Sequence, residues 1–307
     1  MPPAVHGGPS RTLLQDKAAH PQIRRMHTRR DFLTTLGVAL GAASLGGARA
    51  LGAEDAARKI PRIGIQLYTL RALMEKDLEG TLAHVAQIGY KEVEFAGYFG
   101  KTPKQIKAIL KKNGLTSPSS HAQLPASDDA WKKALDDTKE AGHEWIVLAW
   151  LDPSVRKSAE DWPPFVDRFN SLAAQAHKHG LRFAYHNHDF EFIKVGDSTA
   201  LEMLLSKTDA KLVDFEMDLY WVTKGGADPL DIIRRHPHRF PLMHAKDATP
   251  APARAMADVG AGTIDFAKIF AAQKMSGMKH VYVERDDAPD PFQSATTSYR
   301  YLSGLKF

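Results

Sequence analysis

The stretch "AYHNHDFEF", residues 184–192, sets His186, His188, Asp189 and Glu191 directly behind an apolar run. Side chains that polar are costly to bury unless they pair with one another or hold a metal ion. Comparable residues close other apolar runs: Asp218 in "VDFEMDLYW", His244 and Lys246 in "PLMHAKD", Glu284 and Arg285 in "VYVERDD". Upstream, Glu94, His121 and Trp150 hold the same kind of position. Each alone has an ordinary explanation, since a lone histidine or carboxylate at a strand end is more often a hydrogen-bonding or capping residue. Four in consecutive apolar runs point instead to a shared site. Imidazole and carboxylate donors suit a divalent ion such as Mn²⁺, Co²⁺, Fe²⁺, Zn²⁺ or Mg²⁺. With His186, Asp218, His244 and Glu284 as ligands, such an ion would keep positions for substrate oxygens and act as a Lewis acid.

Those residues converge only if the elements carrying them surround one axis. From Ile60 onward an amphipathic helix, a glycine and a short apolar strand recur, with Gly89, Gly114, Gly142, Gly180 and Gly277 at the junctions. Glycine there supplies the left-handed cap that ends a helix before the chain turns into a strand. The pattern predicts strands at 62–68, 91–95, 116–121, 145–150, 181–187, 211–217, 240–245 and 280–284. It predicts helices at 74–88, 103–113, 128–141, 162–179, 198–207, 228–236, 264–276 and 291–304. Eight strand–helix units over 60–307 predict an α/β fold, a single (β/α)8 TIM barrel. A doubly wound sheet is disfavoured because "IGIQLYTLR" carries no Gly-rich phosphate loop after the first strand.

In such a barrel chemistry gathers at the C-terminal ends of the strands. Strand alternation then puts His186 with His188, and His244 with Lys246, on common faces. Tyr68, Phe95, Tyr98, Phe99, Trp150, Tyr220 and Trp221 crowd the same ends. About half are expected as packing and the rest as faces for a sugar ring, a use that suits the apolar body of an aromatic side chain. His84, His143, His177, His179, His236, His238 and His280 are expected at the surface or at caps. The Pro/Ala/Gly-rich segment 247–263 is long enough to be expected as a lid.

The chain of 307 residues has no cysteine, which excludes disulfides, thiolate metal sites and thiol nucleophiles. "TRRDFLTTLGVALGAASLGGARA" (28–50) has a twin-arginine pair, Arg29–Arg30, a weakly apolar stretch and a small-x-small end. That layout is a twin-arginine signal peptide over 26–50, implying the export machinery as a partner and a periplasmic location. Its apolar run is too short for a stable membrane anchor. Residues 1–25 read as an over-called start or a disordered segment, with Met26 as the alternative start, and 51–59 as a short linker. Residues 1–50 hold seven Lys/Arg and two Asp/Glu, so the +5 net charge belongs to them and the remainder is balanced at 34 of each sign. A neutral domain gives no electrostatic reason to expect nucleic acid as a partner. A homo-oligomer is left open.

"YHNHDFEF", "MDLYWV", "MHAKD", "DVGAGTIDF" and "VYVERD", in this order, resemble the xylose-isomerase-like TIM-barrel family of sugar phosphate isomerases/epimerases, over essentially 60–307. The leader resembles that of the family's exported branch. The resemblance implies one metal ligand from each of strands five to eight, which map onto His186, Asp218, His244 and Glu284. Its better understood members place a glutamate on strand five, paired with the strand-eight glutamate to move a proton on a keto-sugar. Here strand five carries histidine, and Glu191 restores the pair only if the chain bulges inward. The resemblance further implies removal of a proton from a carbon beside a carbonyl. Glu284, His188, Lys246, Glu191 and His121 are the acid/base candidates; Glu94, Trp150, Trp221, Tyr68 and Arg285 are the substrate-binding candidates. The leading expectation is a keto-sugar isomerase or epimerase on an unphosphorylated sugar. A 3-keto-glycoside lyase and a catalytically inactive sugar-binding barrel are the alternatives. A nuclease reading, suggested by the barrel's likeness to apurinic endonucleases, is opposed by the neutral charge and the leader.

Overall fold

The computed structural model describes residues 58–307. The leader at 26–50, the segment before it and most of the linker lie outside the described residues. Eight strands form one parallel sheet: β1 (Gly64–Gln66), β2 (Glu92–Glu94), β3 (Ser119–Ala122), β4 (Trp145–Leu148), β5 (Arg182–His186), β6 (Val213–Asp218), β7 (Leu242–Ala245) and β8 (His280–Val283). β1 pairs with both β2 and β8, and the remaining strands pair in sequence. β2 and β3 meet through the parallel bridges Glu92–Thr116 and Phe95–Ser120, which bring the two ends of the sheet together. The fold is a single (β/α)8 barrel.

Helices α1 (Leu78–Ile88), α2 (Pro103–Asn113), α3 (Asp128–Ala141), α4 (Pro164–Lys178), α5 (Ala200–Lys207), α6 (Pro229–Arg235), α7 (Phe266–Ala271, continued by Gln273–Ser276) and α8 (Pro291–Gly304) follow the strands in turn. Their bounds follow local chemistry. Thr102 and Gln105 form a reciprocal capping box at the start of α2, and Pro103 fills its first turn. Gly114 ends that helix at φ 64° and Gly142 ends α3 at φ 93°, conformations that a side chain disfavours. The first helix, expected at 74–88, is interrupted: Asp77 accepts a hydrogen bond from the Gly80 amide and caps α1, leaving Arg71–Met74 as a separate turn. Behind the strands, α3 buries Trp131, Leu135 and Thr138, one stripe of an amphipathic helix.

Inside the barrel the side chains stack in layers, as strand alternation requires. Near the N-terminal face, Asp214 accepts from the Trp145 indole at 3.0 Å and pairs with Arg182. Above it, Trp145, Val147, Ala184, Leu242 and Tyr282 form a compact apolar plug. Ser119 donates to the Tyr282 hydroxyl at 2.9 Å. Gly64 makes room for that ring, because a Cβ there would lie 2.4 Å from it. The next layer toward the C-terminal face is almost wholly polar.

The segment expected as a lid is a hairpin with a fixed base. Asp247–Ala248 pairs antiparallel with Met256–Ala257. The buried Asp247 carboxylate accepts from the amides of Ala248, Gly260, Gly262 and Ile264 at 2.8–3.1 Å. His143, expected at the surface, is buried: it bonds the Ser117 carbonyl and the Tyr98 hydroxyl.

Candidate active site

The polar layer is built from the last inward-facing residue of almost every strand. Gln66 (β1) donates to Glu94 (β2) at 2.8 Å. The same Glu94 oxygen lies 3.2 Å from His121 (β3) and 2.7 Å from His244 (β7). Glu216 (β6) lies 2.8 Å from His121, 3.0 Å from His186 (β5) and 3.1 Å from His244. One step nearer the mouth, His244 meets Glu284 at 2.7 Å, and Lys246 bridges Glu284 at 2.9 Å, Asp286 at 3.0 Å and Asp218 at 3.2 Å. Asp218 also caps the short helix Leu219–Lys224, accepting from the Trp221 amide, so its carboxylate is locked at the strand end.

These contacts divide the charges. Burial pulls the His121 imidazole down, but Glu94 and Glu216 outweigh it and raise its pKa to about 9. Against the same burial, Glu216 and Glu284 hold His244 well above the usual imidazole range. Burial likewise opposes ionisation of Glu284, yet Lys246 and His244 keep it below the ordinary carboxylate range. His186 goes the other way: burial and the neighbouring His244 push it well below its usual range. His188 falls to about 3, through burial and the Lys246 ammonium. Burial and the nearby Glu284 push Asp286 up to about 7.

The donor set fits a divalent cation. One oxygen each of Glu94 and Glu216 is buried without a hydrogen-bond partner among the described residues, and Asp218 Oδ2 faces the Lys246 ammonium at 3.2 Å. Two groups of ligand atoms, His121–His186–Glu216–His244 and Asp218–His244–Glu284, each lie within 4.8 Å of one another and share His244. His186 reaches toward the second group as well, 3.7 Å from Asp218. His244, held charged by these carboxylates, would give up its proton on binding a metal, because an imidazole ligates as the neutral base.

A cavity of about 540 Å³ opens above this layer, lined by Tyr68, Trp150, His121, His186, His188, Lys246, Glu284 and Asp286 among others. That volume falls in the range of roughly 300–1,000 Å³ usual for small-molecule sites. The His188 ring stacks on Phe190 at 5.1 Å and leans on Trp221 at 5.4 Å, and its Nδ1 has no partner among the described residues.

Of the residues singled out from the sequence, the structure thus gathers His121, His186, His188, Asp218, His244, Lys246 and Glu284, with Tyr68 and Trp150 at the rim. Glu94 sits beneath the cavity, in the layer that holds the imidazoles. Trp221 lies behind His188 and 5.6 Å from Lys246. Two residues are directed elsewhere. Glu191 does not bulge inward: the turn Phe190–Phe192 aims its carboxylate at the Tyr185 hydroxyl (2.5 Å) and the His188 amide (2.8 Å). Arg285 pairs with Asp258 and Asp287 instead of facing the cavity. Glu216, Asp286 and Gln66 belong to the site and were missed. Alternation would have found the first two, since each lies two residues from a recognised one.

The family description "xylose isomerase-like TIM barrel" matches residues 82–303. The chain is 23% identical over 269 residues to the inosose dehydratase of Geobacillus kaustophilus (strain HTA426), covering 73% of this chain and 86% of that protein. Among solved structures it is similar to a sugar phosphate isomerase/epimerase from Parabacteroides distasonis ATCC 8503, with TM-score 0.69, 26% identity, and 83% and 97% of the two chains covered. It shares its fold with the IOLI protein solved with a bound zinc atom, at TM-score 0.64 and 15% identity over 80% and 99% of the chains.

Proposed function

The chain belongs to the xylose isomerase-like TIM-barrel family, and from that premise we propose that it is a divalent-metal-dependent lyase acting on an unphosphorylated keto-sugar. One observation carries the reading: a single cavity is lined by two imidazoles held in opposite states, His188 with its pKa lowered to about 3 on the β5 side and His121 with its pKa raised to about 9 on the β3 side. Epimerisation calls for two similar groups on opposite faces of one carbon, and elimination for a base and an acid of different character. The dehydratase name of the Geobacillus relative supports elimination.

A divalent ion held by His186, Asp218, His244 and Glu284 would supply Lewis acidity toward the carbonyl and a neighbouring oxygen of the substrate. The remaining work falls to the chain. His188, its ring fixed between Phe190 and Trp221, takes the proton from the carbon beside the carbonyl. The electron pair of that C–H bond becomes a C=C bond while the C–O bond one carbon further breaks. His121 gives its proton to the departing oxygen, which leaves as water or an alcohol, and the sugar keeps an unsaturated ketone. His188 ends with one proton more and His121 with one fewer, a balance restored through solvent. The Lys246 ammonium faces the same cavity and offsets negative charge developing on the carbonyl oxygen.

The test is incubation of metal-loaded protein in D₂O with a 3-keto-glycoside and with a keto-cyclitol, followed by mass spectrometry. Loss of the alcohol from the first or of water from the second supports the reading. Unchanged composition with deuterium gained beside the carbonyl would show an epimerase, and no change in either substrate would leave a binding barrel. The Arg29–Arg30 leader assigns this activity to the periplasm in our reading. Replacing both arginines by lysine should strand the protein in the cytoplasm, and an unaltered distribution on fractionation would count against export by that route.

A further inference from the structure

A second cavity, of about 350 Å³, lies beside the first and shares Gly97, His121 and Gln123 with it. Its character is different. The first cavity is lined about evenly by polar and apolar groups, whereas the second is mostly apolar, with Tyr98, Leu124, Ala130 and Ala134 beside Ser120, Asp137 and Thr138. Ala130 and Ala134 stand four residues apart on α3, so both face the cavity and their small side chains leave it open. Tyr98 forms a fixed wall. Its hydroxyl bonds the buried His143 at 2.9 Å, while the other nitrogen of that ring is held by the Ser117 carbonyl at 2.7 Å. The ring also meets Phe95 edge-on at 5.5 Å.

We propose that this second cavity is a subsite for an apolar, ring-sized substituent on C1 of the sugar, which makes the natural substrate a glycoside rather than a free sugar. The inference rests on the keto-sugar lyase reading and deepens it. A sugar in the polar cavity that carries a substituent in the apolar one has the joining C–O bond at the seam. His121 stands at that seam as a lining residue of both cavities, which is where a proton donor to a departing oxygen must be. Free sugars would leave the apolar walls hydrated. An aryl aglycone displaces that water and supplies binding remote from the reacting carbon.

The experiment compares phenyl and methyl 3-keto-glucosides as substrates of the metal-loaded protein. The KM for the phenyl compound should be about tenfold lower than that for the methyl compound, the ratio that one well-filled apolar contact provides. Ala134→Phe, which fills the cavity, should raise the KM of the phenyl compound to that of the methyl compound and so erase the preference. Ala130→Phe, at an exposed position of the same helix, repeats the test where packing tolerates the larger ring. Equal KM values in the unaltered protein, or equal loss on both substrates in both variants, would overturn the subsite. If neither glucoside is cleaved, the lyase reading fails and the subsite is still read by calorimetric titration with unoxidised phenyl and methyl glucosides. Equal affinities there would overturn it, and a phenyl preference abolished by Ala130→Phe would uphold it.

Discussion

At the scale of single residues, His188 and Glu191 were met as parts of one motif, and the structure gives them separate work. His188 offers a neutral imidazole to the cavity. Replacing it with glutamine should lower kcat for elimination by about 10²–10⁴, the usual contribution of a general base. Metal content after dialysis, measured by plasma mass spectrometry, should be unchanged, because the ring is not among the grouped ligand atoms. Glu191 belongs to stability. Burial raises its pKa to about 8, against the hydrogen bonds from Tyr185 and His188. In the unfolded chain it ionises near 4.3. Between roughly pH 4.3 and 8 the folded protein therefore holds a proton that the unfolded chain has released, and stability falls as pH rises through that window. Glu191→Gln should flatten this component, read as urea midpoints across the window; a slope identical to that of the unaltered protein would sink the assignment. Glu216 is hard to see in the sequence because Asp218, two residues later, already closes its strand with a carboxylate. Glu191 reads as an inward candidate because nothing local announces the turn that points it at Tyr185. Its orientation is set by a tertiary partner across the loop.

At the scale of elements, the helix–glycine–strand phrase made the fold readable. α2, α3 and α8 occupy the expected residues, since each has a proline or a polar cap at its start and a well-marked end. Where two signals competed, as at Asp77, the expected helix broke in two. The long segment after β7 was the least legible element. Its Pro/Ala/Gly composition suggests mobility, yet one buried carboxylate ties four amides of it together. Asp247→Ala would leave those donors unsatisfied, and at about 1–3 kcal/mol for each buried unpaired group the loss should total several kcal/mol, seen as a large fall in Tm. Asp247→Asn, which keeps one acceptor, should recover part of it. A change of less than about 1 kcal/mol would mean the hairpin is held by other contacts.

At the scale of the whole molecule, the barrel concentrates its cost at one end. The apolar plug around Trp145 and Tyr282 is an ordinary core. The layer above it buries four acidic side chains, two histidines, a lysine and a glutamine within a few ångströms of one another, with His121 and Asp286 half-buried beside them. Such a layer is stabilised by anything that binds it and not the unfolded chain. A divalent ion at about 100 times its Kd should add about 2.7 kcal/mol, so Tm should rise on loading with Mn²⁺, Co²⁺ or Zn²⁺ and fall on chelation. A paired Asp218→Asn and Glu284→Gln variant should lose most of that response. An equal rise in the variant would place the ion elsewhere.

Arg58 and Phe307 exchange two backbone hydrogen bonds, 2.8 and 3.1 Å long, below the barrel floor and away from the cavities. The segment that enters β1 is therefore tied to the residue that follows α8. Joining residues 58 and 307 through a short glycine linker and opening the chain at Gly196, in the exposed turn between two short strand stubs, should give a permuted protein of the same circular dichroism and the same turnover. The order in which the eight units are translated would then be immaterial to the chemistry at the mouth. The far side of the barrel would be free to carry a tag, a tether or a surface anchor without obstructing substrate.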